Sequence, residues 1–180
     1  MNKFRQICLI NIFVILISTF SFAANKIAYI DLDLILSESE PAKLLFSQLK
    51  EIEEKKMNKL KKDEIILKDE EQKILNSKNL LSKEEFNNKV RNFQKKVNLY
   101  NELKEENIQN LQQKRNKEIL RFLNLINPLI EKVMEKNSIG ILMEKKNIFI
   151  AKSNYDITEI LIQDINKNIK EFLIDLKWIY

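Results

Sequence analysis

QKILNSKNLLSKEEF, residues 72–86, is the stretch on which the fold turns. Apolar periodicity stops at Leu75, the polar residues Asn76, Ser77, Lys78 and Asn79 follow, and Ser82-Lys83-Glu84-Glu85 then has the form of a capping box. The Ser82 hydroxyl can accept the backbone N–H of Glu85 while the Glu85 carboxylate reaches back to the N–H of Ser82. This satisfies two donors that a helix start leaves orphaned. One helix is therefore expected to end near Asn76 and another to begin at Ser82, with a tip near 76–82. The competing reading is one continuous rod with a stutter, since Ser and Asn are tolerated inside helices at modest cost.

On both sides of the tip the chain is free to be helical. Its two prolines, Pro41 and Pro128, bracket 86 residues that contain neither proline nor glycine, and its one glycine, Gly140, comes later. On the return side Phe86, Val90, Phe93, Val97 and Tyr100 recur at alternating steps of four and three, as do Ile119, Leu123, Ile126, Ile130 and Val133. That spacing is a coiled-coil seam. On the outgoing side Leu45, Leu49, Ile52, Lys56, Leu60, Asp63, Leu67 and Ile74 make a poorer one with charges at inward positions, and the return seam degrades between Leu103 and Ile119. Residues 42–127 are thus read as a helical hairpin, an arm of ~50 Å at ~1.5 Å per residue.

The flanks are different in kind. Lys26 to Leu32 (KIAYIDL) is β-branched and aromatic, as a buried strand is. Ile139 to Met143 and Ile148 to Ala151 are two more strand candidates, joined by a four-residue polar loop of hairpin length. Gly140 within a strand signals close backbone approach or a bulge. Asp156-Ile157-Thr158-Glu159 repeats the capping logic ahead of an amphipathic run through Ile160, Leu161, Ile165 and Ile169. Asn127-Pro128 either kinks the return helix or opens a fresh one. The expected fold is α+β: a small β-strand body built from residues 24–41 and 128–180, with the long antiparallel hairpin protruding from it.

Residues 1–23 read as a cleavable signal peptide. Lys3 and Arg5 precede an apolar run from Ile7 to Ile17, and Ser21-Phe22-Ala23 is a small-x-small cleavage site. Eleven residues span only ~17 Å of helix against a ~30 Å hydrocarbon core, too little for an anchor. Cys8 lies in this leader without a lipobox before it, so the exported chain has no cysteine, disulfide or thiol chemistry. Charge is uneven: residues 42–127 hold 20 Lys and Arg against 14 Asp and Glu, while the rest of the chain after residue 23 holds 9 against 12. A basic arm stands on a mildly acidic body. Enzymatic readings find no support, since the chain has no histidine and no cysteine beyond the leader, and one glycine cannot build a phosphate-cradling loop. Asp31 and Asp33 are more simply a strand end leading to a helix start near Ser37 than a catalytic pair, and Ser37 and Ser153 have no histidine to work with. No metal or cofactor is expected, and export argues against a nucleic-acid partner.

In this order, the signal peptide, Lys26-Ile27-Ala28-Tyr29-Ile30-Asp31, the Pro128-Leu129-Ile130 step, the β-hairpin expected from Ile139 to Ala151 and Asp156-Ile157-Thr158 resemble the Skp family, the OmpH-like periplasmic chaperones. The similarity covers about residues 26–170, and its specificity lies in the body. The resemblance implies a homotrimer with a shared β core, here Ile27, Tyr29, Ile141, Met143 and Phe149, whose three arms enclose a cavity for unfolded outer-membrane proteins in the periplasm. The chain departs from the family pattern in having Ser138-Ile139-Gly140 where a Tyr-Asp step often leads into the strand, and in running on from Glu171 to Tyr180. The lipopolysaccharide-binding pattern of some members is not recognisable.

An ATP-independent holdase fits the residues themselves. Many weak contacts from several arms hold a client reversibly, and loose seams adapt to clients of different size. Positive charge concentrates at the tip, where Lys73, Lys78, Lys83, Lys89, Arg91, Lys95 and Lys96 face only Glu84 and Glu85 between residues 72 and 100, marking a candidate contact for acidic clients or an anionic membrane or lipopolysaccharide surface. The alternative from another class is a structural coiled-coil spacer or scaffold of the cell envelope.

Overall fold

The structure, a computed structural model, describes residues 26–174. The expected leader with Cys8 and the terminal Lys177-Trp178-Ile179-Tyr180 lie outside the described residues.

The chain runs β1 (Lys26–Ile30), α1 (Leu32–Glu38), α2 (Glu40–Asn76), α3 (Lys83–Lys136), β2 (Ile139–Glu144), two short 3-10 turns (Lys145–Asn147 and Ser153–Tyr155) and α4 (Thr158–Asn168). It is the expected α+β fold: a small sheet with helices around it and a hairpin of two long helices leaving it. The hairpin reverses where the polar stretch falls. Helix α2 ends at Asn76, and Ser82 caps α3 with both halves of the capping box in place. The Glu85 N–H donates to Ser82 Oγ at 3.3 Å, and the Ser82 N–H donates to Glu85 Oε2 at 3.0 Å.

Several local expectations are corrected. The first strand stops at Ile30, and the first helix begins at Leu32 rather than near Ser37, because Asp31 caps it by accepting the Leu34 N–H at 3.0 Å. Asp31 and Asp33 do not form a pair on a strand face; Asp33 lies in the first helical turn. Ser39 then separates α1 from α2 in an extended conformation, fully buried, its hydroxyl donating to the Ile35 carbonyl at 2.7 Å, and Pro41 occupies the first turn of α2, where a missing N–H costs nothing. Helix α3 runs unbroken through Pro128, neither ending nor restarting there. Proline frees the carbonyl four residues back, and both Pro128 and Asn124 face solvent, so water can take that carbonyl.

Ile148 to Ala151 is not a strand. Strand β2 pairs with β1 alone, in parallel, and the chain leaves it through a 3-10 turn pinned by Lys145 Nζ on Asp31 Oδ2 at 2.8 Å, which carries Phe149 and Ile150 off the sheet into solvent. Between Lys26 and Ile27 the register shifts so that Ile139 and Ile141 face consecutive residues of β1, leaving Gly140 as the extra residue of a bulge. The capping box expected at Asp156 is not made: Ile157 holds the N-cap position of α4 without a side-chain cap, and Asp156, one residue earlier, accepts the Thr158 N–H on its Oδ1 at 2.9 Å.

The core gathers all of this. Ala28 and Ile30 from β1, Ile35 from α1, Leu45, Leu49 and Ile52 from α2, Phe122, Ile126 and Val133 from α3, and Leu161 and Ile165 from α4 form one buried cluster. Chain ends and arm root are thereby packed as one unit. Long-range polar links reinforce it: the Ile157 N–H donates to the Tyr29 carbonyl at 3.0 Å, Asp31 N–H to Thr158 Oγ1 at 2.8 Å, and Glu40 N–H, at the open start of α2, to Asn166 Oδ1 at 2.8 Å.

Candidate functional site: an apolar sheet face and a basic arm

Alternation along β1 and β2 sends Ala28, Ile30 and Leu142 toward the core and Ile27, Tyr29, Ile141 and Met143 to the other face. The register sets Ile27 opposite Ile141 and Tyr29 opposite Met143, so four of the five residues expected at a shared β core line one side of the sheet. Ile27, Ile141 and Met143 are exposed, Ile141 by 52%, whereas Tyr29 is largely buried within its own chain. Phe149 stands apart, fully exposed beyond the strand end. A two-stranded sheet is marginal by itself, and this one shows a wholly apolar outer face. Beside it, Asp31 is held below the usual carboxylate range, first by the hydrogen bond from Lys145 and then by the Leu34 N–H, while the same pair raises Lys145.

The arm is packed on other terms. Helices α2 and α3 lie antiparallel, tied by Lys56 Nζ to Asn107 Oδ1 at 3.4 Å, Tyr100 OH to the Leu60 carbonyl at 3.3 Å, and Lys96 Nζ to both Glu70 oxygens at 2.7 and 2.9 Å. The expected seam positions are the inward ones, Lys56 and Asp63 included, yet no residue between Leu60 and Glu118 is buried. Clefts open along the seam: one of about 360 Å³ beside Ile52, Leu111 and Lys114, and one of about 560 Å³ beside Leu67, Phe93, Val97 and Tyr100. Polar and charged side chains at inward positions leave gaps that apolar ones would fill.

At the tip, Lys73 pairs with Asp69 and Lys96 with Glu70, so two of the seven expected contact residues are engaged within the arm. Lys78, Lys83, Lys89, Arg91 and Lys95 are exposed and make no ion pair among the described residues, and Leu80 stands exposed among them.

Glu118 escaped notice in the sequence, where it sits in a charged run. It is buried to 3% exposure, with Arg121 Nε 2.9 Å and Lys114 Nζ 3.4 Å from its carboxylate. Arg121 meets Oε2 off the angle of a hydrogen bond, so the contact is one of charge. Its spacing on the return helix, seven residues after Leu111 and four before the buried Phe122, is the signal that was available, obscured by its charge.

A compact α+β body with an apolar sheet face, carrying one long, loosely packed, basic helical hairpin, defines an arm-bearing α+β protein. The sequence matches the family "Outer membrane protein (OmpH-like)" over residues 26–165, and the chain belongs to that family. Among solved structures it is similar to that of a candidate outer membrane chaperone (OmpH-like) from Caulobacter crescentus CB15, with a TM-score of 0.76 and 17% identity over 85% of this chain and 90% of the other, a likeness of fold. No curated protein matches the sequence.

Proposed function

We propose that this chain is an ATP-independent holdase chaperone of the periplasm that binds unfolded outer-membrane proteins between the helical arms of a homotrimer. The observation that carries it is the pairing of an arm with no buried residue between Leu60 and Glu118 with a sheet face on the body where Ile27, Ile141 and Met143 are exposed. The face gives copies a way to join, through Ile27, Ile141 and Met143, and apolar contacts of this kind resemble a core shared between subunits. The open edge of β2 and the exposed Phe149 add to the surface that a neighbouring copy covers. Joined bodies set several arms around one space, where many weak contacts sum to firm but reversible holding. The unpaired cations at the tip speed encounter with acidic segments of clients and with anionic lipid surfaces. Membership in the OmpH-like family and the fold of the Caulobacter protein support the reading.

The experiment is dilution of a urea-unfolded β-barrel protein into buffer with and without the chain, followed by light scattering. A holdase suppresses scattering, saturating near one trimer per client. Unchanged scattering at tenfold excess contradicts the proposal and leaves the envelope spacer.

A further inference from the structure

Helix α4 ends at Asn168, and residues 169–174 then cross the root of the arm without helix or turn. Ile169 begins the crossing with extended φ and ψ of −114° and 104°. Side chains alternate along it: Phe172 and Ile174 are buried in the core cluster, while Glu171 and Leu173 face outward. The backbone is held as a strand edge is held. Gln48 of α2 donates its Nε2 to the Phe172 carbonyl at 2.7 Å and accepts the Ile174 N–H on its Oε1 at 3.0 Å. In an extended chain the C=O of one residue and the N–H two residues on point the same way, so this one amide replaces a residue of a parallel neighbouring strand. From α3, Arg121 donates Nη2 to the Leu173 carbonyl and lays its guanidinium 4.4 Å from the centre of the Phe172 ring. Phe122 meets that ring edge-on at 5.5 Å and 84°.

This groove reads backbone amides and two alternate apolar side chains; the residues between them point away. We propose that the arm-root groove between α2 and α3 is a binding site for an extended segment of an unfolded chain with apolar residues at alternate positions, and that Phe172–Ile174 fills it in cis as an internal competitor. Alternation of this kind is the pattern of barrel strands, and backbone pairing with side-chain pockets at alternate positions is a general mode of capturing extended peptides. The occupying segment lies beyond residues 26–165 matched by the family. Tethering gives it an effective concentration of about a millimolar, so only segments that bind well, or that the arms crowd against the groove, displace it. The identity of the incoming segment as a client rests on the holdase reading; the groove itself rests on its geometry.

The test uses full-length chain carrying Phe172→Ser and Ile174→Ser, and a fluorescent synthetic peptide of residues 170–175, Lys-Glu-Phe-Leu-Ile-Asp. Anisotropy should show the variant binding this peptide at least about tenfold more tightly than the unaltered chain, with Gln48→Ala reversing about tenfold of that affinity. A peptide with Ser at the Phe and Ile positions should not bind. A variant of native circular dichroism that takes up the peptide no better than the unaltered chain, or that ignores Gln48→Ala, overturns the proposal. Should the variant not fold, hydrogen exchange on the unaltered chain decides: exchange at the Ile174 amide should accelerate with excess peptide and not with the serine-substituted one, and equal exchange in both overturns it. Peptide binding without suppression of client aggregation would remove the holdase reading and leave the groove, whereas suppression without peptide binding would do the reverse.

Discussion

Helix α3 passes through two environments. In the body it buries Phe122 and Ile126 completely and Val133 nearly so, against α2, α4 and the strands. In the arm its inward residues, Val90, Phe93, Val97 and Tyr100, are only half-buried against α2, with open clefts between them. One continuous helix thus couples a part fixed by a three-dimensional core to a part held by a single seam and scattered polar ties. Local stability follows buried contact density, so the body should open only with global unfolding while the arm fluctuates at far lower cost. A holdase needs both properties: a fixed root that gathers the copies and arms that adapt.

The largest expected effect breaks the body. Phe122→Ala removes a fully buried ring facing Phe172 and should destabilise the fold by about 3–5 kcal/mol, as for other buried aromatics; a urea melt measures this. A comparable truncation in the arm, Phe93→Ala, should cost well under half as much, and equal losses would erase the contrast between the two regions.

Next comes the sheet face. Ile141→Asp puts a charge on an exposed residue of a single chain, so the melting of the chain alone should change little. In an assembly that covers this face the same charge is buried unpaired, and copies should dissociate and client holding should be lost together. Retained assembly would show that the copies join elsewhere.

Smaller effects probe the tip. Ser82→Ala removes the capping box and should cost about 1 kcal/mol, read as faster amide exchange around Phe86 with the body's melting unchanged. Reversal of Lys89, Lys95 and Lys96 to Glu should weaken client capture more at low salt than at high salt, because exposed charges are screened over ~8 Å at ~0.15 M. Equal affinities at both salts would leave the tip charge without a role in capture.

The smallest concerns Asp31. Its folded pKa is depressed by Lys145 and the Leu34 N–H, so its contribution to stability is present above the ordinary aspartate value of ~3.9 and is lost as pH falls through that value toward the folded one. Asp31→Asn should flatten that acid limb of the stability–pH curve and leave the curve near pH 7 parallel to that of the unaltered chain.

The same contrast governs what the residues disclosed beforehand. The arm is legible because its determinants are local: a capping box at Ser82, a polar break after Leu75 and heptad spacing all act within a turn or two. The body is only half legible. Gly140 signalled close approach or a bulge, and the register shift beside it matches the second, but the turn that takes Ile148 to Ala151 off the sheet carries a Lys145–Asp31 contact across 114 residues, which no window of sequence displays. Pro128 left a kink and a fresh helix start both open, and the continuous helix excludes the second, since a helix breaker is tolerated where solvent can serve the freed carbonyl. At the candidate sites, four of the five residues that the resemblance implied for a shared β core fall on one face of the sheet, and Phe149 does not. Residue types did not disclose that Tyr29 is largely buried within its own chain, that Lys73 and Lys96 are paired within the arm, or that Glu118 is buried.

The central claim, that the body gathers copies so that flexible arms can hold a client, is tested most directly by the mass of the complex. Size exclusion with light scattering on a mixture of the chain and one unfolded β-barrel protein should report a single soluble species of three chains and one client. Separate elution of a monomeric chain and aggregated client would contradict the account.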